Sequence, residues 1–524
     1  MVAALTQNFL NSQLAAISQN PTSKPPPKGS KPSYSIADSF AIQLDPTAAA
    51  GTPGAWNSVN VTQMTAPTVT IGENGAVVLT LHVTSGTVQY IDMSGVQQTA
   101  SLADTDISYT VNMTLADVAD PNDLAAPQQT IDQLNGFQTS DFSIQFLALE
   151  FETASMITSC DVSSPTITEG SRQYIVLLNC LNAYLCSSTN PYILGYPIQT
   201  VNPAVTNPVL PAFAPTSCEF STTVNQTNAD LSTLNYCLMT NDDAFPTDTS
   251  SGIFNTPWVT DSSSMGMLTI SNEVFVNGYL TPLVLPAIES ALVMPPCPPA
   301  PYPQSPDSGL ANSNSGWTST ATGWNLTLTQ SNSAQGENGV LVKLPGPDYY
   351  QLINNQVTCD VSLSNIDGNM TVSADVAISF YTKLDVQMQL FNWFDETVTQ
   401  NFTLTLTFTP GNNGTFVITP AITPSPLPAP ATAPQYSLDV KVGQALSSVV
   451  NSTFGINLDA AYASLGNNIS DTVNNLTTAF ATNIGNDMNV LGNQFVLPAG
   501  DVFYYNSLLF DTEDDMQVNI ASAK

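Results

Sequence analysis

The side chains that carry most enzyme chemistry are sparse in this sequence, and its single histidine forms no catalytic pattern. His82 lies in the alternating stretch AVVLTLHV, residues 76–83. A Ser–His–Asp hydrolase would have to use it as the general base, but no Gly-x-Ser-x-Gly turn accompanies it. Alternation of this kind predicts a β-strand. We therefore expect His82 to be a structural or exposed strand residue.

Carboxylates are more numerous, at 41, but only the cluster DTEDD at 511–515 stands out. Several carboxylates in a turn suit calcium, yet the EF-hand pattern is absent and a solvated turn is the favoured interpretation. No pair is singled out for glycosidase chemistry. The chain also lacks HExxH, a P-loop and GxGxxG in a strand-to-helix context. We predict a protein that is not an enzyme and holds no metal or cofactor; a glycosidase acting on extracellular sugar is the enzymatic alternative.

The cysteines leave two interpretations open. There are seven of them and no Cys-x-x-Cys, and with one histidine a zinc site is not expected. A disulfide cluster between residues 160 and 297 is one hypothesis, with Cys180 and Cys186 closing a short loop. Free buried thiols are the other. Because the number is odd, at least one thiol is free or intermolecular.

Charge excludes several classes of partner. Only 9% of residues are charged, with 8 lysines and arginines and a net charge of -33. The missing bases argue against nucleic acid and against anionic lipid headgroups. Residues 1–18 lack the basic and apolar regions of a signal peptide, and no apolar run is long enough for a transmembrane helix. We expect an extracellular or secreted protein without a classical signal peptide.

The most regular pattern in the chain is an apolar stripe between Leu458 and Leu491. Its members recur every three or four residues, which predicts one face of an α-helix. Residues 458–491 at about 1.5 Å each would make a rod of roughly 50 Å. The stripe either packs as plain core or lines a cavity for lipid tails. In the second case the ligand-binding residues are Leu465, Ile469, Val473, Leu476 and Phe480.

The remaining chain alternates as short strands broken by proline-rich segments, which predicts an α+β fold. The predicted strands include 107–113, 142–151, 357–364, 370–393 and 402–408. We divide it into an N-terminal helix (1–20), a Pro/Lys linker (21–35), a first β-rich half with helices (36–293), a Pro-rich link (294–309) and a second β-rich half (310–524) that contains the long helix and C-terminal strands. A buried helix is predicted over 174–185. The helical signal in 268–288 is expected to break at Pro282 and Pro286.

Three stretches resemble a known family, the tubular lipid-binding (TULIP) superfamily, and in particular the TULIP-type accessory proteins of clostridial neurotoxin and related bacterial toxin gene clusters. They are SFAIQL (39–44) followed by GTPGAWNSVNV (51–61), LTISNEVFVNGYLTPLVLPAI (268–288) and FVLPAGDVFYYNSLLFDTEDDMQVNI (495–520). The resemblance implies an elongated fold with long amphipathic helices packed on highly curved antiparallel sheets. It also implies non-enzymatic binding of a lipid or other apolar ligand, and a toxin-complex protein as a partner. The alternative is a structural or interaction protein, such as a toxin-complex scaffold or surface protein, with a filled core and no ligand.

Overall fold

The computed structural model describes most of the first 423 residues and the C-terminal strands. The described ranges are 1–18, 38–45, 47–49, 52–124, 126–137, 142–151, 159–186, 192–200, 215–240, 243–245, 256–292, 311–331, 342–344, 349–366, 369–386, 389–410, 416–423, 495–496, 503–511 and 513–522. The linker at 21–35, the link at 294–309 and the helix predicted over 458–491 lie outside them.

Strands dominate the described ranges. They are β1 (Val2–Thr6), β2 (Phe40–Gln43), β3 (Ser58–Met64), β4 (Thr68–Ile71), β5 (Val77–Ile91), β6 (Gln97–Ser101), β7 (Thr105–Asp117), β8 (Phe142–Glu150), β9 (Cys160–Ser163), β10 (Ile193–Thr200), β11 (Pro215–Thr223), β12 (Thr233–Thr240), β13 (Gly266–Ile270), β14 (Ala311–Asn314), β15 (Thr318–Thr320), β16 (Gly323–Ser331), β17 (Val342–Leu344), β18 (Tyr349–Ile366), β19 (Asn369–Val386), β20 (Gln389–Pro410), β21 (Phe416–Thr423), β22 (Phe495–Val496), β23 (Phe503–Phe510) and β24 (Met516–Ser522). The α-helices are α1 (Gln7–Ser18), α2 (Gln128–Leu134), α3 (Arg172–Leu185) and α4 (Thr281–Ala291), and a π-helical segment, Glu273–Leu280, leads directly into α4.

These strands form three antiparallel sheets. The first has the order β11-β12-β1-β13-β24-β23. The second has the order β2-β3-β5-β7-β8-β10-β22, with β4 and β6 also paired to β5 and β9 to β7. The third has the order β14-β16-β18-β19-β20-β21, with β15 on β16 and β17 on β18. The strands include a curled antiparallel half-barrel sheet, which confirms the prediction of curved antiparallel sheets. The long amphipathic helices remain a prediction.

The second sheet has one apolar side because its strands alternate. Leu79 pairs with Tyr109 and Leu81 with Ile107 across β5 and β7, and directly opposed residues share a side of the sheet. All four are buried at 1% exposure or less. The stretches predicted as strands at 76–83, 107–113 and 142–151 overlap β5, β7 and β8, the first and last with one residue beyond the strand.

Helix α3 covers that apolar side, as the sequence predicts for residues 174–185. The hydroxyl of Ser171 accepts a hydrogen bond from the backbone N–H of Tyr174 at 3.3 Å and caps the first turn. Leu177 and Leu181 on its inner face have no exposed surface and join the main core, whereas Ile175 points outward. At about 25 cal/mol per Å² of apolar area, this burial is what holds a helix of this length in place.

The N-terminal segment differs from its prediction, because residues 2–6 form a strand and the helix begins only at Gln7. β1 lies between β12 and β13 and pairs with both, so tertiary hydrogen bonds override local propensity. Helix α1 then closes the free edge of β4. The side chain of Asn11 accepts from the N–H of Val69 at 2.7 Å and donates to its carbonyl at 3.1 Å, and Gln7 accepts from the N–H of Ile71 at 2.8 Å.

The predicted break at Pro282 and Pro286 is wrong. Residues 273–291 stay helical, first as the π-helical segment and then as α4. The N–H of Thr281 donates to the carbonyl of Val276, a wide turn of the kind that marks π-bulges. Pro282 comes at the start of α4, where a missing N–H costs little.

The C-terminal strands return to the sheets built by the first half of the chain. β22 pairs with β10 in the second sheet, and β24 pairs with β13 in the first. The first and second sheets therefore each contain strands from both sides of residues 294–309. Strands β18 to β20 fall on the stretches predicted at 357–364, 370–393 and 402–408, with residues 370–393 divided between β19 and the start of β20.

Candidate functional site

The predicted ligand-binding residues lie outside the described part of the chain. Leu465, Ile469, Val473, Leu476 and Phe480 fall between the end of β21 and the start of β22. β21 is an edge strand of the third sheet, whereas β22 pairs with β10 in the second. The segment with the stripe thus connects these two sheets.

The third sheet has one apolar side, and its register shows this more clearly than the strand patterns alone. Opposed positions of an antiparallel ladder lie on the same side. The apolar rows, each read from one strand to the next, are Leu326–Cys359–Val376, Leu328–Val357–Ile378–Val398, Val361–Ala374–Phe402 and Leu363–Val372–Leu404–Ile422. Gln400 and Glu396 interrupt this side on β20, opposite Val376 and Phe380.

The other side of the third sheet carries polar residues. Asp360 pairs with Asp375, and Asp375 with Asn401. Asn325 donates to the carboxylate of Asp360 at 2.8 Å on the exposed surface. A sheet with one polar and one apolar side places a hydrophobic layer on one side only.

Where the third sheet meets the rest of the molecule, its apolar side is buried. Leu326 and Cys359 are 0% exposed, and Val357 and Val361 are at most 2% exposed. All four belong to the same core as the first and second sheets. The β16–β18 end of the apolar side is therefore continuous with the main hydrophobic core.

A second cluster lies between α3 and the second sheet, where Tyr109 and Tyr174 interact with Cys160. Burial raises the pKa of the Cys160 thiol to about 11 and raises that of Tyr109 well above its usual value. Tyr192 is fully buried, and its ring meets Phe151 edge-on at 5.6 Å between centroids. Because a thiolate is strongly disfavoured here, Cys160 is unsuited to nucleophilic catalysis.

His82 lies on β5 in a chain of polar side chains on the outer side of the second sheet. Its Nδ1 is 2.9 Å from Oδ1 of Asp106, and its Nε2 is 2.9 Å from Oγ1 of Thr68. This order of hydroxyl, imidazole and carboxylate is that of a hydrolase triad. However, His82 and Asp106 are direct cross-strand partners, and the pair Thr80–Ser108 at 2.9 Å continues the same row. A stabilising cross-strand ladder accounts for the arrangement.

The acidic run at 511–515 forms the turn between β23 and β24. Asp511 accepts from the N–H groups of Glu513 and Asp515, both at 3.0 Å. Asp515 in turn accepts from the N–H of Asn272 at 2.7 Å, just before the π-helical segment, where a negative charge is favourable. These carboxylates hold backbone amides in place.

Metal-binding and disulfide chemistry find little support in the described ranges. No group of three or more His, Cys, Asp or Glu side chains there is arranged to hold a metal ion. Cys180 and Cys186 are free thiols, and so are Cys160, Cys218 and Cys237. Cys180 is buried and the pKa of its thiol is raised by that burial to about 11.

Among the helices that the structure describes, none is long and apolar enough to span a membrane.

Comparison with solved structures finds P47 of Clostridium botulinum E1, with 12% identity and a TM-score of 0.46 over 99% of this chain and 97% of that one. P47 from Clostridium botulinum A2 has 10% identity and a TM-score of 0.45 over 99% and 96%. Lipopolysaccharide binding protein has 11% identity and a TM-score of 0.27 over 100% and 98%. No protein-family model and no curated protein matches the chain. The resemblance seen in the sequence is thus found again in the structure, but TM-scores this low transfer neither the fold nor a function.

Proposed function

We propose that this protein binds a lipid or another apolar ligand, without enzymatic turnover, in a groove between the third sheet and the helix predicted over 458–491. The single observation that carries the proposal is the apolar side of the third sheet, which continues across β16, β18, β19, β20 and β21. The stripe supplies the opposite wall, through Leu465, Ile469, Val473, Leu476 and Phe480.

The length of the strands suits a long, narrow ligand. The β16–β18 end of the apolar side is already covered by the main core, so the proposed groove lies over β19, β20 and β21. The strands β18, β19 and β20 run for 18 to 22 residues, long enough to accompany both the predicted helix and an acyl chain laid beside it.

A structural or interaction protein with a filled core is the second candidate, and the packing beneath α3 favours it. There Leu79, Leu81, Leu177 and Leu181 are all 0% exposed, so side chains alone fill that interior. Under this hypothesis the stripe would complete the third sheet in the same way, and no ligand would be bound.

An accessory role in a bacterial toxin system and an extracellular setting are further parts of the proposal. The first is supported by the sequence resemblance, and the second by the scarcity of bases, with 8 lysines and arginines in the chain. Co-purification with the products of neighbouring genes tests the toxin-complex partner.

Lipid extraction and native mass spectrometry of the purified protein test ligand binding. We expect bound lipid and uptake of a labelled lipid. The double variant V473D/L476D should lose uptake, because two carboxylates would enter an apolar groove. Thr478→Asp, on the opposite side of the predicted helix, should not. A protein that is empty and takes up no lipid would favour the filled-core candidate.

A further inference from the structure

The exposed large apolar side chains of the described residues gather at one end of the second sheet. Met93 is 90% exposed, Val96 53%, Ile175 48% and Leu44 42%. Leu509, at 43%, is the remaining one and lies on β23 of the first sheet. Single exposed apolar residues are ordinary on protein surfaces, but a group of them marks an interaction site.

Met93 and Val96 protrude on the turn between β5 and β6, and this turn is rigidly built. The N–H of Asp92 donates to the carbonyl of Val96 at 2.9 Å. Oδ1 of Asp92 accepts from the N–H groups of Ser94 at 2.8 Å and Val96 at 3.0 Å. Gly95 has a φ of 75°, which glycine adopts without strain. The sequence thus fixes a convex tip that presents two apolar side chains.

Three hydrogen bonds bring the other two apolar residues to the base of this hairpin. The Nε of Arg172, at the start of α3, donates to the carbonyl of Ile91 at 3.2 Å. The N–H of Ile91 donates to the Asn57 side chain at 3.4 Å, and the N–H of Leu44 donates to the Asn57 carbonyl at 2.8 Å. Ile175 follows Arg172 by about one helical turn. We call Leu44, Met93, Val96 and Ile175 the apolar end.

Aromatic and cationic side chains adjoin the apolar end along the chain. Trp56 ends the short 3-10 helix Pro53–Trp56 and precedes Asn57, and Tyr90 precedes Ile91; both rings are partly buried. Tryptophan and tyrosine favour the headgroup level of membranes, and an arginine such as Arg172 suits a phosphate. The apolar end would match the acyl region of a lipid surface, the two aromatic rings its headgroup level, and the guanidinium of Arg172 its phosphates.

We propose that the apolar end inserts shallowly into the surface of a zwitterionic lipid membrane. A protruding turn suits a fluid bilayer better than a protein partner, whose interface would require a larger and flatter surface. The net charge of -33 repels anionic lipid, so a neutral headgroup fits best. This inference does not depend on the proposed groove, because attachment to a membrane and carriage of a ligand use different residues.

Flotation with phosphatidylcholine vesicles tests the inference, with lipid carriage measured on the same samples by native mass spectrometry. The protein should float with the vesicles, and the double variant M93S/V96S should bind about tenfold more weakly, since two apolar side chains lose their burial. Leu509→Ser is the matched control and should bind as the wild type does. High salt should leave binding in place, because apolar insertion is not screened.

Three results would overturn the inference. They are a wild-type protein that stays with the soluble fraction, a double variant that floats as well as wild type, and a self-association seen by sedimentation that M93S/V96S abolishes. The third would assign the apolar end to a second copy of the chain. The two proposals fail separately: vesicle binding without carried lipid refutes only the groove, and carried lipid without vesicle binding refutes only the apolar end.

Discussion

The second and third sheets start from the same strand pattern and differ in what covers their apolar sides. In the second sheet, α3 lies on that side, and its inner residues Leu177 and Leu181 are 0% exposed in the main core. In the third, the apolar rows extend over five strands, and the proposed cover is the stripe at 458–491. The alternation of apolar and polar residues along the strands thus identifies the apolar side of a sheet. Whether that side becomes a filled core or a groove depends on the helix that covers it.

The largest expected effect concerns the interior between α3 and the second sheet, which we describe as filled. Leu181→Ala should lower the free energy of unfolding by about 2–5 kcal/mol, because it opens a cavity in a fully packed interior. Chemical denaturation measures the change. Ile175→Ala on the same helix is the control, since its side chain is 48% exposed and should change stability by less than about 0.5 kcal/mol. Equal effects would show that α3 does not pack as described.

A smaller effect is expected at the edge of the second sheet. Asn11→Ala removes the side chain that pairs with both backbone groups of Val69 and should cost about 1–3 kcal/mol. Hydrogen exchange of the Val69 amide should become faster. Asn179→Ala, which removes a helix-surface hydrogen bond to Ile175, should leave that exchange unchanged. Unaltered exchange in Asn11→Ala would contradict the proposed closing of the β4 edge by α1.

The smallest effect concerns the turn that presents the apolar end. Hydrogen bonds from the N–H of Val96, then Gln98 and Ser94, lower the pKa of Asp92 from 3.8. Because the pKa of Asp92 is lower in the folded turn than in the unfolded chain, the ionised carboxylate stabilises the turn at pH values above the unfolded pKa. That stabilisation is lost as the pH falls through the folded pKa. The protection factor of the Val96 amide, which corrects for the intrinsic pH dependence of exchange, should fall in acid below about pH 4. Asp92→Asn should flatten this pH dependence, and an unchanged profile would refute the role of Asp92.

Individual strands and helices could be predicted wherever the apolar residues recur regularly and the elements that pack against them lie near in the sequence. The alternation of 76–83 and 107–113 and the helical spacing of 174–185 were enough. The strand Val2–Thr6 could not be foreseen, because its partners, β12 and β13, lie more than 200 residues away. The continuation of the helix through Pro282 was missed because the wide turn that precedes it, closed by the N–H of Thr281 and the carbonyl of Val276, leaves no mark in the proline pattern.

The candidate site could be predicted only in part, for the same reason. The stripe with Leu476 is visible in the sequence, because helical periodicity is local. The apolar rows that join Val357 to Ile378 and Val398 depend on the register between strands, which no single strand reveals. The same holds for His82, whose partners Asp106 and Thr68 come from two other strands.

Two buried cysteines allow the most direct test of the central claim, that the third sheet forms an apolar groove. Cys180 lies on the inner face of α3 in the filled interior, and Cys359 lies on β18, where the covered end of the apolar side borders the proposed groove; both are 0% exposed. Alkylation under native conditions, followed by peptide mass spectrometry, compares how readily each becomes accessible. We predict that removing lipid accelerates alkylation of Cys359 and that adding lipid back slows it, while Cys180 reacts at one slow rate throughout. A Cys359 rate that is as slow as that of Cys180 and indifferent to lipid would contradict the groove and establish a filled core.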